Sequence, residues 1–350
     1  MESMTAKPAT AMLTASAPAA VKVALVENSF RHEALFYRGE EGFLRGTLPF
    51  VAEGLATGES ILVVVSPERA HQLGDALGPD AGRVRFLDMR KLGRNPARVI
   101  PAWREFLAEH VAEGVPVRGI GEPVWHGRSA AELDECERHE ALLNEAFAFG
   151  PAWRLLCPYD LDALAPEVIQ AARTTHPALM HEGVSRRSSA YKPLHRGPGP
   201  FNGLLPAPPV QREELAFTAH GLGAVRSLVA QRSTAAGLAE AAREDLVLAI
   251  NELVTNSVQY GGGGGNLRIW REQGELICEV QDRGFIEDPL VGRLPPPVDQ
   301  YGGRGLWLVN HLCDLVQIRS SPSGTVVRVR MRAAEAQPAV AAMPEVRAFQ

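Results

Sequence analysis

The sequence is poor in cysteine, with four in 350 residues, and no two of them form a CxxC pair. Cys136, Cys157, Cys278 and Cys313 lie far apart, which excludes a zinc ribbon, a thioredoxin-like motif and a disulfide framework. So few thiols in a chain of this size fit a reducing compartment, and the expected location is the cytoplasm. Long apolar runs are also missing. Stretches such as Ile61 to Val65 fall far short of the ~20 residues of a membrane span. There is no basic excess either. Lys plus Arg is 36 against 41 for Asp plus Glu, a net charge of −5. Bulk charge therefore gives no hold on nucleic acid or an anionic membrane, and neither is expected as a partner. What remains is an ordinary globular composition, 45% hydrophobic and 22% charged. The length suggests about two domains.

Residues 1–20 are Ala, Thr, Ser and Pro, too poor in bulky apolar groups to order themselves, and are expected to be a disordered leader. From 21 to 180, apolar blocks alternate with amphipathic stretches. Ser60 to Ser66, Val84 to Leu87, Val115 to Ile120 and Trp153 to Cys157 read as strands. Ala97 to Ala112 and Leu133 to Ala148 read as helices. That alternation predicts an α/β domain with a mainly parallel sheet. Residues 181–212 carry six prolines and four glycines and read as a linker. Residues 213–333 read as an α+β sandwich: a mostly antiparallel sheet covered by helices, with a long helix from Ala239 to Gln259. In its last strand Val327, Val329 and Met331 alternate with Arg328 and Arg330, which predicts one buried and one wet face. The tail over 334–350 is rich in Ala and Pro and is expected to be flexible.

The chemistry concentrates in the second domain. Glu252 and Asn256 stand four residues apart, on one helix face, one turn from each other. An amide oxygen is a hard neutral ligand for Mg²⁺, and a carboxylate beside it can orient or deprotonate a nucleophile. Downstream, an alternating strand ends in Asp282-Arg283-Gly284. The carboxylate can accept from an exocyclic amine, and the glycine permits close backbone approach. Gly303-Arg304-Gly305-Leu306 then opens a helix whose amide donors suit a phosphate. Each motif alone fits a solvated helix face or a tight turn; their order makes coincidence improbable.

Residues 213–332 resemble the GHKL-type ATPase fold, the Bergerat nucleotide-binding domain, and within it the bacterial anti-sigma-factor serine kinases. The run from Glu252 to Gly261 resembles that family's N box, Asp282 and Gly284 its first glycine box, and Gly303, Gly305 and Leu306 its second. The resemblance implies ATP and Mg²⁺ as ligands, Asn256 on the metal, Glu252 as catalytic base, Asp282 and Gly284 at adenine, and Gly303, Arg304, Gly305 and Leu306 near the phosphates. Residues 283–300 would form a short lid. One departure stands out: the family's further glycine in the first box is here Ile286, which puts the lid hinge and turnover in doubt. An acceptor histidine in its usual setting is missing, since His220 precedes Gly-Leu-Gly.

In the first domain, Gly54 to Ser60 imitates a P-loop but has Glu59 where a lysine would neutralise phosphate, and its strand follows the glycines. Polar groups beside apolar runs include His32, Arg118, Glu122, His126, His139, Glu140, Asn144, Cys157, Tyr159, Asp160 and His176. A His/Cys/Asp metal site is compatible with this set, yet no pair has a recognisable ligand spacing. The start from His32 to Tyr37, Arg94 to Arg98, Val117 to Pro123, His139 to Asn144 and Cys157 to Asp160 resemble the MEDS sensory domain. That resemblance covers about residues 30–180 and implies a degenerate RecA-like fold that senses an unidentified small molecule.

Together these readings describe a sensor domain controlling an ATP-binding, anti-sigma-type domain. That domain would phosphorylate Ser or Thr on an antagonist protein, or sequester a sigma factor, and the family implies a homodimer. The alternatives are a non-catalytic ATP-binding regulator and an atypical sensor histidine kinase.

Overall fold

The computed structural model describes residues 30–181, 183–194, 203–296 and 303–333. The expected leader and tail lie outside these residues, as do parts of the expected linker and lid.

Seven strands form the first sheet: β1 (Arg31–Tyr37), β2 (Ser60–Val65), β3 (Val84–Asp88), β4 (Val117–Gly121), β5 (Trp153–Asp160), β6 (Ala178–His181) and β7 (Val184–Arg187). Their order is β3-β2-β4-β5-β1-β6-β7, parallel throughout except for the last pair. The apolar run of β2 is explained by burial on both faces. Ile61, Val63 and Val65 pack with Phe43, Phe50 and Val51 of α1 (Gly39–Ala56) and Leu73 of α2 (Pro67–Leu77). Leu62 and Val64 face the opposite layer. There, after the short α3 (Met89–Leu92), lie α4 (Val99–Val111), α5 (Ala130–Ala146) and α6 (Pro166–Thr175). Trp103 of α4 lies so close to β4 that a Cβ on Gly119 would stand 2.7 Å from its ring. Helix α5 begins at a capping box: the Ser129 hydroxyl accepts from the Glu132 amide, and the Glu132 carboxylate accepts from the Ser129 amide.

Strand β7 falls inside the stretch read as linker over 181–212. All four of its residues are exposed, so it carries no apolar alternation by which a strand is recognised. Its backbone pairing with β6 places it in the sheet.

The second sheet is antiparallel, in the order β11-β12-β10-β9-β8, from β8 (Glu213–Thr218), β9 (Gly264–Glu272), β10 (Glu275–Asp282), β11 (Leu315–Ser321) and β12 (Gly324–Arg332). Helices α7 (Leu222–Ala235), α8 (Glu240–Tyr260) and α9 (Gly305–Leu312) cover one face. Leu246, Ile250, Leu253 and Val254 of α8 pack there against Leu267, Val280 and Val329.

The other face is not wet, contrary to the alternation read in β12. Arg328 is 3% exposed and Arg330 9%. Glu279 lies opposite both Arg268 and Arg328 in the strand register and pairs with each, at 2.9 and 2.5 Å. Arg328 also donates to the Pro206 carbonyl, so part of the connecting segment crosses this face. Charge pairing across strands makes the burial tolerable.

Candidate functional site

Helix α8 builds one wall of a cleft. Its apolar stripe is fixed in the core, which turns Glu252 and Asn256 to the opposite, half-buried side. The helix stops at Tyr260, where Gly262 and Gly263 take φ of +89° and +92° that side chains rarely adopt. This turn returns the chain to the sheet beside the end of β10, where Asp282 sits. The Ser257 hydroxyl donates to Asp282 Oδ2 at 2.6 Å, and the Gly284 amide donates to Oδ1 at 2.8 Å. Each carboxylate oxygen retains accepting capacity. Thr325 donates to the Gly284 carbonyl at 2.8 Å and fixes the turn from β12.

The opposite wall is the start of α9. A Cβ on Gly305 would lie 3.0 Å from Glu252 Oε2 and 3.1 Å from Asn256 Nδ2. The glycine thus allows the helix start to approach both polar side chains closely.

All eight residues singled out in the sequence line this cleft of about 910 Å³: Glu252, Asn256, Asp282, Gly284, Gly303, Arg304, Gly305 and Leu306. Thr255, Gln259, Tyr260, Phe285, Val291 and Thr325 also line it and were not singled out. Ser257, which positions Asp282, carried a signal: it is a hydroxyl on an otherwise apolar helix stripe. Thr325 carried none, because its partners, the Gly284 carbonyl and the Ser320 hydroxyl, meet it only through the fold. The oxygen donors of Glu252 and Asn256, together on a half-buried wall, fit a hard divalent cation.

The loop after Gly284 leaves the second domain and packs on the first. Leu290 and Leu294, partly buried, pack against the first domain's core. Arg293, 6% exposed, donates to Glu135 Oε2 at 2.9 Å. Arg319 of β11 donates to Glu135 Oε1 at 2.7 Å and also pairs with Asp134. Asn310 of α9 donates to the Gly292 carbonyl at 2.8 Å and accepts from Asn95 at 3.1 Å. Arg98 completes the junction. Its guanidinium donates to the carbonyls of Asn310, His311 and Cys313 at 2.9, 2.6 and 2.8 Å. These are end carbonyls of α9 without helical partners, at the negative end of the helix dipole. The Arg94-to-Arg98 motif thereby grips the helix that forms the cleft wall.

The polar residues of the first domain divide into separate groups. Arg118 is held by Glu53 and Glu59. Glu122, just past β4, accepts from the Tyr37 hydroxyl at 2.8 Å, and burial pushes its carboxyl up to about 7. Asp160, at the end of β5, pairs with Arg69 at 3.2 Å. His126 is exposed. His32, Glu140, Cys157 and His176 converge at one buried point, with Asn144 beside His32. A separate cavity of about 240 Å³ is lined by Val124, Asp134, Glu137, Glu140, Tyr159 and Val168 among others. Asp134 reaches both this cavity and Arg319 of the second domain.

Comparison with known proteins gives two family matches. Residues 31–177 match the MEDS domain, the methanogen/methylotroph, DcmR sensory domain. Residues 215–331 match the histidine kinase-like ATPase domain. No curated protein matches the chain significantly. Among solved structures, the RsbU and RsbW domains of Rv1364c from Mycobacterium tuberculosis are similar at 20% identity and a TM-score of 0.27, over 35% of this chain and 33% of that one. The histidine kinase AdeS of Acinetobacter baumannii is similar at 16% identity and a TM-score of 0.23, over 35% of this chain and 68% of that one. The chain thus spans about a third of the first of these proteins. Among the described residues no helix is long and apolar enough to cross a membrane. The chain joins a MEDS sensory domain to a histidine kinase-like ATPase domain.

Proposed function

We propose that the chain is a signalling regulator in which the sensory domain, a degenerate RecA-like unit, controls ATP use by the second domain. The observation that carries this reading is a shared junction. The loop and helix bordering the 910 Å³ cleft are held by Glu135, Asn95 and Arg98 of the sensory domain. A small molecule entering the cavity beside Asp134 would bias that junction, and with it access to the cleft.

In this reading ATP is the substrate. Asp282 accepts from the adenine amine, the amides around Gly303 and Gly305 receive the phosphates, and Arg304 adds positive charge. Asn256 would hold Mg²⁺, which neutralises charge on the transferred phosphoryl group. Glu252 removes the proton of a Ser or Thr hydroxyl on a partner, the hydroxyl oxygen bonds to the γ-phosphorus, and ADP leaves. The partners are an anti-sigma antagonist as acceptor and a sigma factor as the sequestered protein, with two copies of this chain in the working assembly and the cytoplasm as its site.

A calorimetric titration of the full chain with ATP, with and without Mg²⁺, tests the first step. Mg-dependent binding that disappears in Asn256→Ala supports the reading; absence of binding in the wild-type chain overturns it. A second reading, a regulator that binds ATP without turnover, is favoured by one observation: Ile286 replaces a hinge glycine and its amide donates to Ser320 at 2.8 Å, tying the loop to β11. Binding without a phosphorylated partner would favour it. Acid-labile phosphate on the chain itself would point instead to a histidine kinase.

A further inference from the structure

His32 on β1, Glu140 on α5, Cys157 on β5 and His176 at the end of α6 come from four separate elements. One ligand atom of each lies within 4.8 Å of the others. All four residues are buried, none more than 1% exposed. The local hydrogen bonding fixes which atoms face the shared point. Asn144 donates its amide nitrogen to the Thr175 carbonyl at 2.8 Å, which turns Asn144 Oδ1 toward His32 Nδ1, 3.1 Å away. His32 therefore carries its proton on Nδ1 and presents the Nε2 lone pair. His176 Nδ1 lies 2.8 Å from the Ala172 carbonyl and donates to it, so His176 also presents Nε2. This is the outer hydrogen bonding that orients histidines as metal ligands.

The distances match a coordination sphere. Tetrahedral Zn²⁺ with ordinary bond lengths separates N and O ligands by about 3.4 Å, and sulfur from either by about 3.6 Å. Here His32 Nε2 and His176 Nε2 lie 2.9 and 3.3 Å from Glu140 Oε2. Cys157 Sγ lies 3.4 Å from His32 Nε2 and 3.7 Å from Glu140 Oε2. Without a cation, two imidazole lone pairs and a carboxylate face one another in a water-poor interior. The Cys157 thiol donates to the same Glu140 oxygen. His176 Nε2 and Glu140 Oε1 have no hydrogen-bond partner, although both are buried. Such orphaned polar atoms are costly. A divalent ion bound by a thiolate and a carboxylate would leave the site neutral, which removes that cost.

We propose that His32, Glu140, Cys157 and His176 form a buried binding site for a divalent transition metal of the zinc class. The mixed nitrogen, sulfur and oxygen donor set excludes Mg²⁺ or Ca²⁺, which take oxygen ligands. Because Glu140 also lines the 240 Å³ cavity, the ion sits in the wall of the space available to a sensed molecule. The site is independent of the nucleotide cleft and of the activity proposed for it.

The test is metal analysis of the full chain, as purified and after chelation and reloading with Zn²⁺ or Co²⁺ alone. The expected result is one equivalent per chain, and a near-ultraviolet thiolate-to-cobalt band in the Co²⁺ form. Cys157→Ser should abolish that band, and His176→Ala should lower Zn²⁺ affinity at least tenfold. Cys136→Ser removes a buried thiol outside the cluster and should keep full metal content and the band. A folded wild-type chain that takes up neither ion overturns the proposal whatever the variants do, as does an unchanged cobalt band in Cys157→Ser.

Discussion

Arg293, in the loop bordering the cleft, and Glu135, on α5 of the sensory domain, form a buried ion pair at 2.9 Å, and Arg319 completes it from β11. One carboxylate thus neutralises two buried guanidinium groups drawn from the cleft loop and the sheet behind it. Removing one member of a buried pair leaves uncompensated charge, a loss of about 3–5 kcal/mol. Glu135→Ala should lower the unfolding free energy by about that amount, read from denaturant midpoints. Arg293→Ala should cost less, because Arg319 still partners Glu135, but should speed amide exchange over residues 285–296. Equal midpoints for wild type and Glu135→Ala would remove the pair from any account of how the domains are held.

Arg98 makes a second, separable contact. Three carbonyls at the end of α9 accept from its guanidinium. Hydrogen bonds to charged groups contribute about 1.5–3 kcal/mol, and a cation at a helix C-terminus up to ~2 kcal/mol. Arg98→Ala should therefore destabilise the chain by about 2 kcal/mol and expose α9 to faster exchange. Arg98→Lys should recover only part of the loss, since an ammonium cannot span three carbonyls as the planar fork does. Unchanged exchange in α9 would show that the helix end is satisfied by other means.

In the proposed function, Asn256 on the polar wall of the cleft serves binding and Glu252 serves transfer. Asn256→Ala should abolish Mg-dependent ATP binding by calorimetry. Glu252→Ala should keep ATP binding and lose transfer by about 10²–10⁴-fold, the usual span of a general base. Gly305→Ala places a methyl group 3.0 Å from Glu252 Oε2, so one side chain must yield by a few tenths of an ångström. The expected result is ATP affinity weakened about tenfold, equivalent to about 1.4 kcal/mol. Wild-type affinity in Asn256→Ala would refute the metal role given to that residue.

The extent to which this molecule was legible from sequence varied with the range of the interactions involved. Periodicity marked α8 because a long helix shows its apolar stripe repeatedly, and Glu252 and Asn256 stood out against it. The fully apolar β2 was legible because both its faces are buried. Strand β7 was not, since its pairing is made by backbone atoms while its side chains are exposed. The burial of Arg328 and Arg330 was hidden for a related reason: alternation reports which residues share a face, not what covers it. The junction was hidden too. Arg98, Glu135, Arg293 and Arg319 are ordinary surface types in the sequence, and only tertiary packing brings them together. The buried His/Cys/Glu cluster draws one residue from each of four elements, so no local ligand spacing could reveal it.

Glu122 offers a pH-dependent signature of the sensory domain. It is buried at the end of β4, where Tyr37 of β1 donates to it and Arg69 of α2 and Asp160 of β5 lie close. Burial is the largest influence and holds its carboxyl at about 7, against an ordinary value of 4.5. Between these values the folded chain keeps a proton that the unfolded chain has lost. The stabilisation is therefore complete below pH ~4.5 and declines as pH rises through about 7. The difference amounts to roughly 3 kcal/mol by linkage. Glu122→Gln removes the titration and keeps an oxygen to accept from Tyr37. Its unfolding free energy in urea should match the wild type near pH 4 and exceed it near pH 8 by about 3 kcal/mol. Parallel midpoint curves for the two proteins across this range would show that Glu122 does not gain a proton on folding.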